Sequence, residues 1–294
     1  MSVTATAEHA AAAETSAPRR RGFARGRPGI ALAGLAIVLA LCSMALLAPS
    51  VLPGDPTAIV SAQALRAPTL AEPFGMDDLG RSVLSRVVHG YRVSLGVALA
   101  SVMLALAIGL PLGLLAGYAE GLIDHLIMRP LDVLMAFPAI LLAIALMSVF
   151  GTGVGLVSLA LGIVYTPIVA RVARAAVLAV KTEVYVEGAR AVGATARHLV
   201  VRHILPNCVT PVLVQTSVLM AIAILVEAAL SFLGVGVRPP TPSLGLMLAD
   251  GRGFMLQAPW IVVFPGVAIV AAVLGFNMMA DGLRDWLDPH AARY

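Results

Sequence analysis

Long apolar segments, each close to the length of a membrane-spanning helix, limit what this chain can fold into. Such segments occur at about 29–50, 93–117, 128–150, 154–176, 209–232 and 260–283. A bilayer core of about 30 Å is crossed by about 20 apolar residues in a helix, whose backbone hydrogen bonds are internal. The segments of about ten alternating residues that mark membrane barrels do not occur. The sequence therefore predicts an all-α polytopic membrane protein with six transmembrane helices.

The segments between these helices divide the chain further. We predict a disordered basic tail at 1–28, a first transmembrane helix at 29–50, an extracytoplasmic loop at 51–92, a core of five transmembrane helices at 93–283 and a short tail at 284–294. Within the loop, apolar residues recur at spacings of three and four, namely Leu79, Val83, Leu84, Val87 and Val88. This period predicts an amphipathic helix at the membrane surface.

The distribution of basic residues predicts the orientation in the membrane. With six crossings, 14 of the 20 lysines and arginines fall on the side of the two tails, against 6 on the other side. Cytoplasmic segments carry an excess of Lys and Arg. Both termini are therefore expected in the cytoplasm, together with the loop at 181–207.

That cytoplasmic loop has an unusual composition between residues 185 and 207. We predict two short helical runs joined at Gly193, which permits a sharp change of direction. Val186, Ala189 and Gly193 fall at spacings of three and four, so on a helix they form a low face into which another protein could fit. Pro206 is expected to end the second run. The pattern predicts a short, rigid docking element.

Signatures of catalysis are missing from the sequence. There is no phosphate-binding glycine loop, no zinc helix with two histidines and no nucleophile elbow. His198 and His203 lie five residues apart, which is not the spacing of a metal pair on a helix. The net charge of +4 comes from basic residues beside apolar helices, which orientation explains without nucleic acid. We expect no catalytic residue, no metal site and no cofactor in this chain.

Two acidic residues fall within predicted membrane helices, where a charge is costly and suggests a function. Glu227 lies in the fifth helix, toward its outer end, and is expected to face a subunit contact or a water-filled cavity. It either fixes the helix end through hydrogen bonds or contacts substrate, and both roles stay open. Asp132, near the inner end of the third helix, is expected to pair with Arg129.

The loop at 181–207 resembles the coupling motif of bacterial ATP-binding-cassette importer permeases. That motif reads Glu-Ala-Ala, three residues, Gly, nine residues, then Ile-x-Leu-Pro. Here Glu187, Gly193 and Leu205-Pro206 match it, whereas Gly188 replaces an alanine and His203 the isoleucine. The runs FGMDDLGRSVLSRVVHGYRVSL, EAALSFLGVGVRPPTPSLGLML and FNMMADGLRDWLDP resemble the dipeptide/oligopeptide/nickel subfamily, specifically the second permease of its pair.

The resemblance implies a type I importer fold, with residues 93–283 as the permease core and short peptides as cargo. It also implies a heterodimer with a second permease, two cytoplasmic ATPase subunits that bind ATP and Mg²⁺, and an extracytoplasmic solute-binding protein in the bacterial inner membrane. The residues that would couple to the ATPase are Tyr185, Val186, Glu187, Gly188, Ala189, Arg190, Gly193, Ala194, Leu205 and Pro206.

Other functions remain open beside this one. An ion-coupled secondary transporter would use an intramembrane acid such as Glu227, although no inverted repeat of three helices is evident. A membrane scaffold would use the loop to recruit a cytoplasmic protein without moving solute. Within the importer hypothesis, a nickel chelate, haem or glutathione are alternative cargoes.

Overall fold

The computed structural model describes residues 28–51 and 55–287, and these residues form a bundle of helices. The predicted tails at 1–28 and 284–294 lie largely outside this range. The helices are α1 (Pro28–Val51), α2 (Val83–Ala119), α3 (Gly121–Met135), α4 (Ala139–Phe150), α5 (Val154–Val180), α6 (Val184–Ala191), α7 (Ala196–Leu199), α8 (Leu205–Phe232), α9 (Leu244–Gly251) and α10 (Trp260–Leu287).

Five helical segments are long and apolar enough to cross a membrane, and a bent pair supplies a sixth. The pair consists of α3 and α4, whose axes differ by 94°. Pro138 stands directly before α4 at this bend, where its ring cannot continue the preceding helix. The prediction of an all-α membrane protein with six spans is confirmed when this pair is counted as one span.

Glycines on α2 allow its close packing against α5, the central contact of the bundle. Gly109, Gly113 and Gly117 lie on one face of α2 and are buried. A Cβ atom at Gly109 would lie 2.7 Å from the carbonyl oxygen of Thr166, and one at Gly117 would lie 2.8 Å from the Cβ of Val177. Real Cβ atoms do not approach so closely, so only glycine permits this helix separation.

The predicted amphipathic surface helix between residues 74 and 95 is wrong. Residues 74–82 form turns, and from Val83 onward the chain belongs to the 37-residue helix α2. The apolar period arises because Val83, Val87 and Val88 are buried against the rest of the bundle, not because they lie on lipid. Periodicity reveals an apolar face but not what covers it.

Segment 55–82, predicted to be extracytoplasmic, is held to the bundle by buried polar contacts. Asp77 is buried and accepts a hydrogen bond from Nε of Arg81 at 2.6 Å and another from Arg86 on α2. The indole Nε1 of Trp260, at the start of α10, donates to the carbonyl oxygen of Met76 at 3.0 Å. These contacts fix the segment over the ends of α2 and α10.

Candidate functional site

The docking loop predicted from the sequence forms a helix-turn-helix unit of residues 184–204, here termed the coupling unit. It comprises α6, a turn, α7 and a π-helical turn at Val200–Ile204. Gly193 lies in the turn with φ +86°, a conformation that L side chains rarely adopt. The Thr195 hydroxyl accepts a hydrogen bond from the backbone N–H of His198 at 3.3 Å and caps α7. The predicted pivot at Gly193 between two short helices is confirmed.

The predicted low face of the coupling unit is only partly accessible. Val186 is 0% exposed and Ala189 is half-buried, so these two residues pack on the protein, whereas Gly193 is exposed. The outward face carries Val184 and Val192, which are 82% and 87% exposed, beside exposed Glu187. Apolar side chains this exposed on a polar loop are typical of a surface that a protein partner covers.

Pro206 does not end the second helical run, contrary to the sequence prediction. The backbone continues from α7 through the π-helical turn into α8, and Pro206 lies in the first turn of α8. In the wide turn, the N–H of Leu205 bonds the carbonyl of Val200, five residues earlier. Pro206 has no N–H to donate, and a π-helical turn directly before it accommodates its ring. The coupling unit is therefore continuous with a transmembrane helix.

Buried contacts attach the coupling unit to the membrane helices. Val177, Ile204 and Cys208 form a small buried cluster that joins α5, the π-helical turn and α8. Lys181 forms an ion pair with Glu120, and its Nζ also donates to the carbonyl of Gly117 at 3.0 Å. Desolvation lowers the pKa of Lys181, and the positive charge of Arg190 lowers it further. A displacement of the unit would therefore act directly on α2, α5 and α8.

Two further ion pairs join α3 to α5 just before the coupling unit. Arg174 donates to both oxygens of Asp124, at 2.5 and 2.6 Å. Asp132 accepts from Arg171 at 2.7 Å, so the predicted pairing of Asp132 with Arg129 is wrong. The structure favours Arg171 because α3 packs across α5, which brings a residue 39 positions away next to Asp132.

Glu227 lies at the centre of a second polar cluster, near the C-terminal end of α8. It is 0% exposed and accepts three hydroxyl hydrogen bonds, from Ser94 on α2 at 2.6 Å, Ser231 at 2.8 Å and Ser243 before α9 at 2.9 Å. A buried carboxylate requires such partners. The geometry agrees with the structural role considered for Glu227, because its hydrogen bonds join α2, α8 and the start of α9.

Under the importer hypothesis that the sequence resemblance implies, we predict that Glu227→Gln causes a small loss of uptake, whereas Glu227→Ala causes a large one. Glutamine keeps one acceptor oxygen and adds an N–H donor, but alanine leaves three buried hydroxyls without their acceptor, at about 1–3 kcal/mol for each unsatisfied group. Thermal unfolding of the purified protein and uptake in proteoliposomes measure both effects. Asp281→Asn, at an exposed acid of α10, is the matched control. Complete loss of uptake in a well-folded Gln variant would show that the charge itself is required.

Sequence reasoning missed the serines and the π-helical turn. Ser94 lies 133 residues from Glu227, and nothing in the local sequence of either residue connects them. The π-helical turn has one local signal, Pro206, whose missing N–H is accommodated by a wider turn before it. Read in that way, Pro206 would have indicated a continuous helix instead of an end.

The fold and the coupling unit together define a class of protein, a multi-pass membrane subunit with a structured docking element between two of its spans. Residues 109–293 match the family model described as "Binding-protein-dependent transport system inner membrane component". The match includes the coupling unit and Glu227. The chain belongs to this family, the permease subunits of ATP-binding-cassette importers.

Three described permeases are similar to this chain over most of its length. The dipeptide transport system permease protein DppC of Alkalihalophilus pseudofirmus is 42% identical over 260 residues, which cover 88% of this chain and 86% of the relative. The di/tripeptide permease DppC of Pseudomonas aeruginosa is 43% identical, with 88% of each chain covered. The glutathione permease GsiD of Pectobacterium atrosepticum is 42% identical, with 90% of this chain and 88% of that chain covered.

The fold also resembles that of a solved structure. A chain from the crystal structure of an amino acid ABC transporter with histidines superposes with a TM-score of 0.55 at 15% identity. The superposition covers 69% of this chain and 95% of the other. At this identity the likeness supports the arrangement of the helices alone. The predicted resemblance to importer permeases is confirmed by these comparisons.

Proposed function

We propose that this chain forms one half of the translocation pathway of an importer for short peptides. The relatives described as dipeptide and di/tripeptide permeases support this cargo, and the equally similar glutathione permease indicates that other small peptides remain candidates. The observation that carries the proposed mechanism is the coupling unit, which exposes one face of α6 while its π-helical turn is packed on α2, α5 and α8.

In this mechanism the chain performs no covalent chemistry. Two partner ATPase subunits bind ATP and Mg²⁺, and their closure displaces the coupling unit. The buried cluster and the Lys181–Glu120 ion pair pass that displacement to α2, α5 and α8. Differential binding by the ATPases shifts the bundle between outward-facing and inward-facing states. A second permease completes the pathway, and an extracytoplasmic binding protein delivers the peptide.

The same proposal places the chain in the bacterial inner membrane with both termini in the cytoplasm. The excess of Lys and Arg on the side of the coupling unit supports this orientation. The proposed ATPase-coupling residues are those at 185–190, 193 and 194 together with Leu205 and Pro206, with Glu187 and Arg190 as their exposed charges. Val186 is buried and Ala189 half-buried, and in this proposal both hold α6 in place instead of contacting the ATPase.

The proposal is tested by reconstitution with the partner permease, the ATPases and the binding protein in proteoliposomes. We expect uptake of a labelled dipeptide that requires internal ATP and Mg²⁺ and that a catalytically inactive ATPase abolishes. Uptake driven by an ion gradient without ATP would overturn the proposal in favour of a secondary transporter. A complex that assembles but moves none of a panel of dipeptides, oligopeptides, glutathione, nickel chelates and haem would favour a scaffold.

A further inference from the structure

A basic pocket lies on the second half of the coupling unit, apart from the outward face of α6. It has a volume of about 360 Å³ and is lined by Thr195, Arg197, His198, Val201 and Arg202. All five residues come from the start of α7 through the π-helical turn, and no carboxylate lines the pocket. The pocket therefore concentrates positive charge at one place on the coupling unit.

The π-helical turn explains why the two arginines share this pocket. On a regular α-helix, residues five apart point about 140° away from each other. Arg197 lies in α7, whereas Arg202 lies in the π-helical turn at Val200–Ile204. Because a π-helical turn rotates less per residue than an α-helix, Arg202 is turned toward the face of Arg197. The same turn places the rings of His198 and His203 5.6 Å apart, although their spacing in the sequence did not predict proximity.

The arginines of this pocket differ from those of a second cavity, between α3 and α5. That cavity, of about 320 Å³, is lined by Arg171 and Arg174, and both of these bond aspartates that line it too. Within the described part of the chain, Arg197 and Arg202 form no ion pair of this kind, and both side chains are exposed. The counter-charge for the basic pocket must therefore come from solvent ions or from another molecule.

We propose that the basic pocket binds a carboxylate side chain of the partner ATPase. The inference rests on the proposed coupling function, because the pocket belongs to the same helix-turn-helix unit as exposed Val192 and Glu187. Guanidinium groups match carboxylates through paired N–H donors, and such bonds strengthen when a partner excludes water. Recognition is thus divided between the exposed surface around Val184, Glu187 and Val192 and a cationic pocket beyond Gly193.

The proposal is tested with the double variant Arg197→Glu/Arg202→Glu in the assembled permease pair. We expect ATPase association to weaken about tenfold or more at low salt, with a smaller difference at high salt, because screening reduces interactions between exposed charges. Arg284→Glu, at an exposed arginine of α10, is the matched control and leaves association unchanged. The neutral double variant Arg197→Gln/Arg202→Gln is expected to weaken association less. Wild-type affinity of the folded Glu variant at low salt would overturn the proposal.

Two further experiments distinguish the basic-pocket proposal from a failure of the coupling function and from lipid binding. If Glu187→Arg and Gly193→Val lose ATPase association while the basic-pocket variant binds normally, the pocket inference alone fails. If all of these variants associate and transport normally, the proposed coupling function fails as well. The measurements are repeated in nanodiscs of phosphatidylcholine with and without phosphatidylglycerol. A defect that occurs only with the anionic lipid would assign the pocket to a lipid phosphate and overturn a protein carboxylate as its occupant.

Discussion

Valine at position 193 is expected to abolish ATP-dependent uptake and ATPase association while membrane insertion stays intact. Gly193 has φ +86°, where the left-handed backbone costs an L-residue about 1–2 kcal/mol and a β-branched residue more. A Cβ atom there would meet nothing within 4 Å, so backbone strain and not a clash causes the effect. The turn between α6 and α7 would open, and the two halves of the coupling unit would lose their relative position.

The matched control for Gly193→Val is Gly188→Ala, five residues earlier. Gly188 lies inside α6 without a positive φ, and a Cβ there also meets nothing within 4 Å. Alanine at a helical glycine stabilises the helix by about 1 kcal/mol, and it restores the second residue of the coupling motif. We expect normal or slightly tighter association of the ATPase.

Uptake in proteoliposomes and co-purification of the ATPase subunits measure both variants. Glu187→Arg is expected to give the same loss as Gly193→Val, because it reverses an exposed charge on the outward face of α6. Normal uptake by both Gly193→Val and Glu187→Arg would contradict the proposed coupling role of the unit.

The second large effect is expected for Gly113→Val, which should prevent α2 from packing on α5. A Cβ atom at Gly113 would overlap the carbonyl oxygen of Ala170 and lie 2.7 Å from the Cβ of Ala173. The clashing carbonyl oxygen belongs to the backbone of α5, which cannot move aside as a flexible side chain can. The two helices must therefore move apart. We expect a destabilisation of about 3 kcal/mol, the upper end of the usual range for overpacked cores, and a low yield of folded protein.

Gly96→Val supplies the matched control within the same helix. Gly96 is exposed, and a Cβ atom there meets nothing within 4 Å. Gly96→Val therefore measures the effect of valine on the stability of α2 at a position that does not contact α5. Size-exclusion profiles and thermal unfolding in detergent compare the two variants. Equal stability of Gly113→Val and Gly96→Val would contradict the close packing of α2 on α5.

Much of the fold could be predicted because it depends on local properties of the chain. The apolar segments that predicted the spans correspond to helices, including the bent pair when it is counted as one span. Gly193 was identified as a pivot because only glycine adopts positive φ at little cost. The bent pair α3–α4 was predicted as one helix, since a proline signals a break but not its angle.

The candidate site was predicted less well, because its geometry depends on what packs against each helix. The spacing of Val186 and Ala189 correctly placed them on one face, but that face is packed inward. Asp132 pairs with Arg171 instead of its neighbour Arg129, because α3 crosses α5. The assignment of the site residues to ATPase coupling stays a prediction that the variants at 187 and 193 test.

The sequence by itself determined that this chain is a helical membrane protein with a structured cytoplasmic unit. Apolar length, glycine and proline act on the backbone within a few residues, so their consequences can be read locally. Only the tertiary structure decided which helix faces point inward, which acceptor the three serines share at Glu227 and how the π-helical turn aligns Arg197 with Arg202. These features depend on contacts between segments that are far apart in the chain. The local sequence pattern is compatible with several such contacts, and side-chain packing in the folded protein selects one of them.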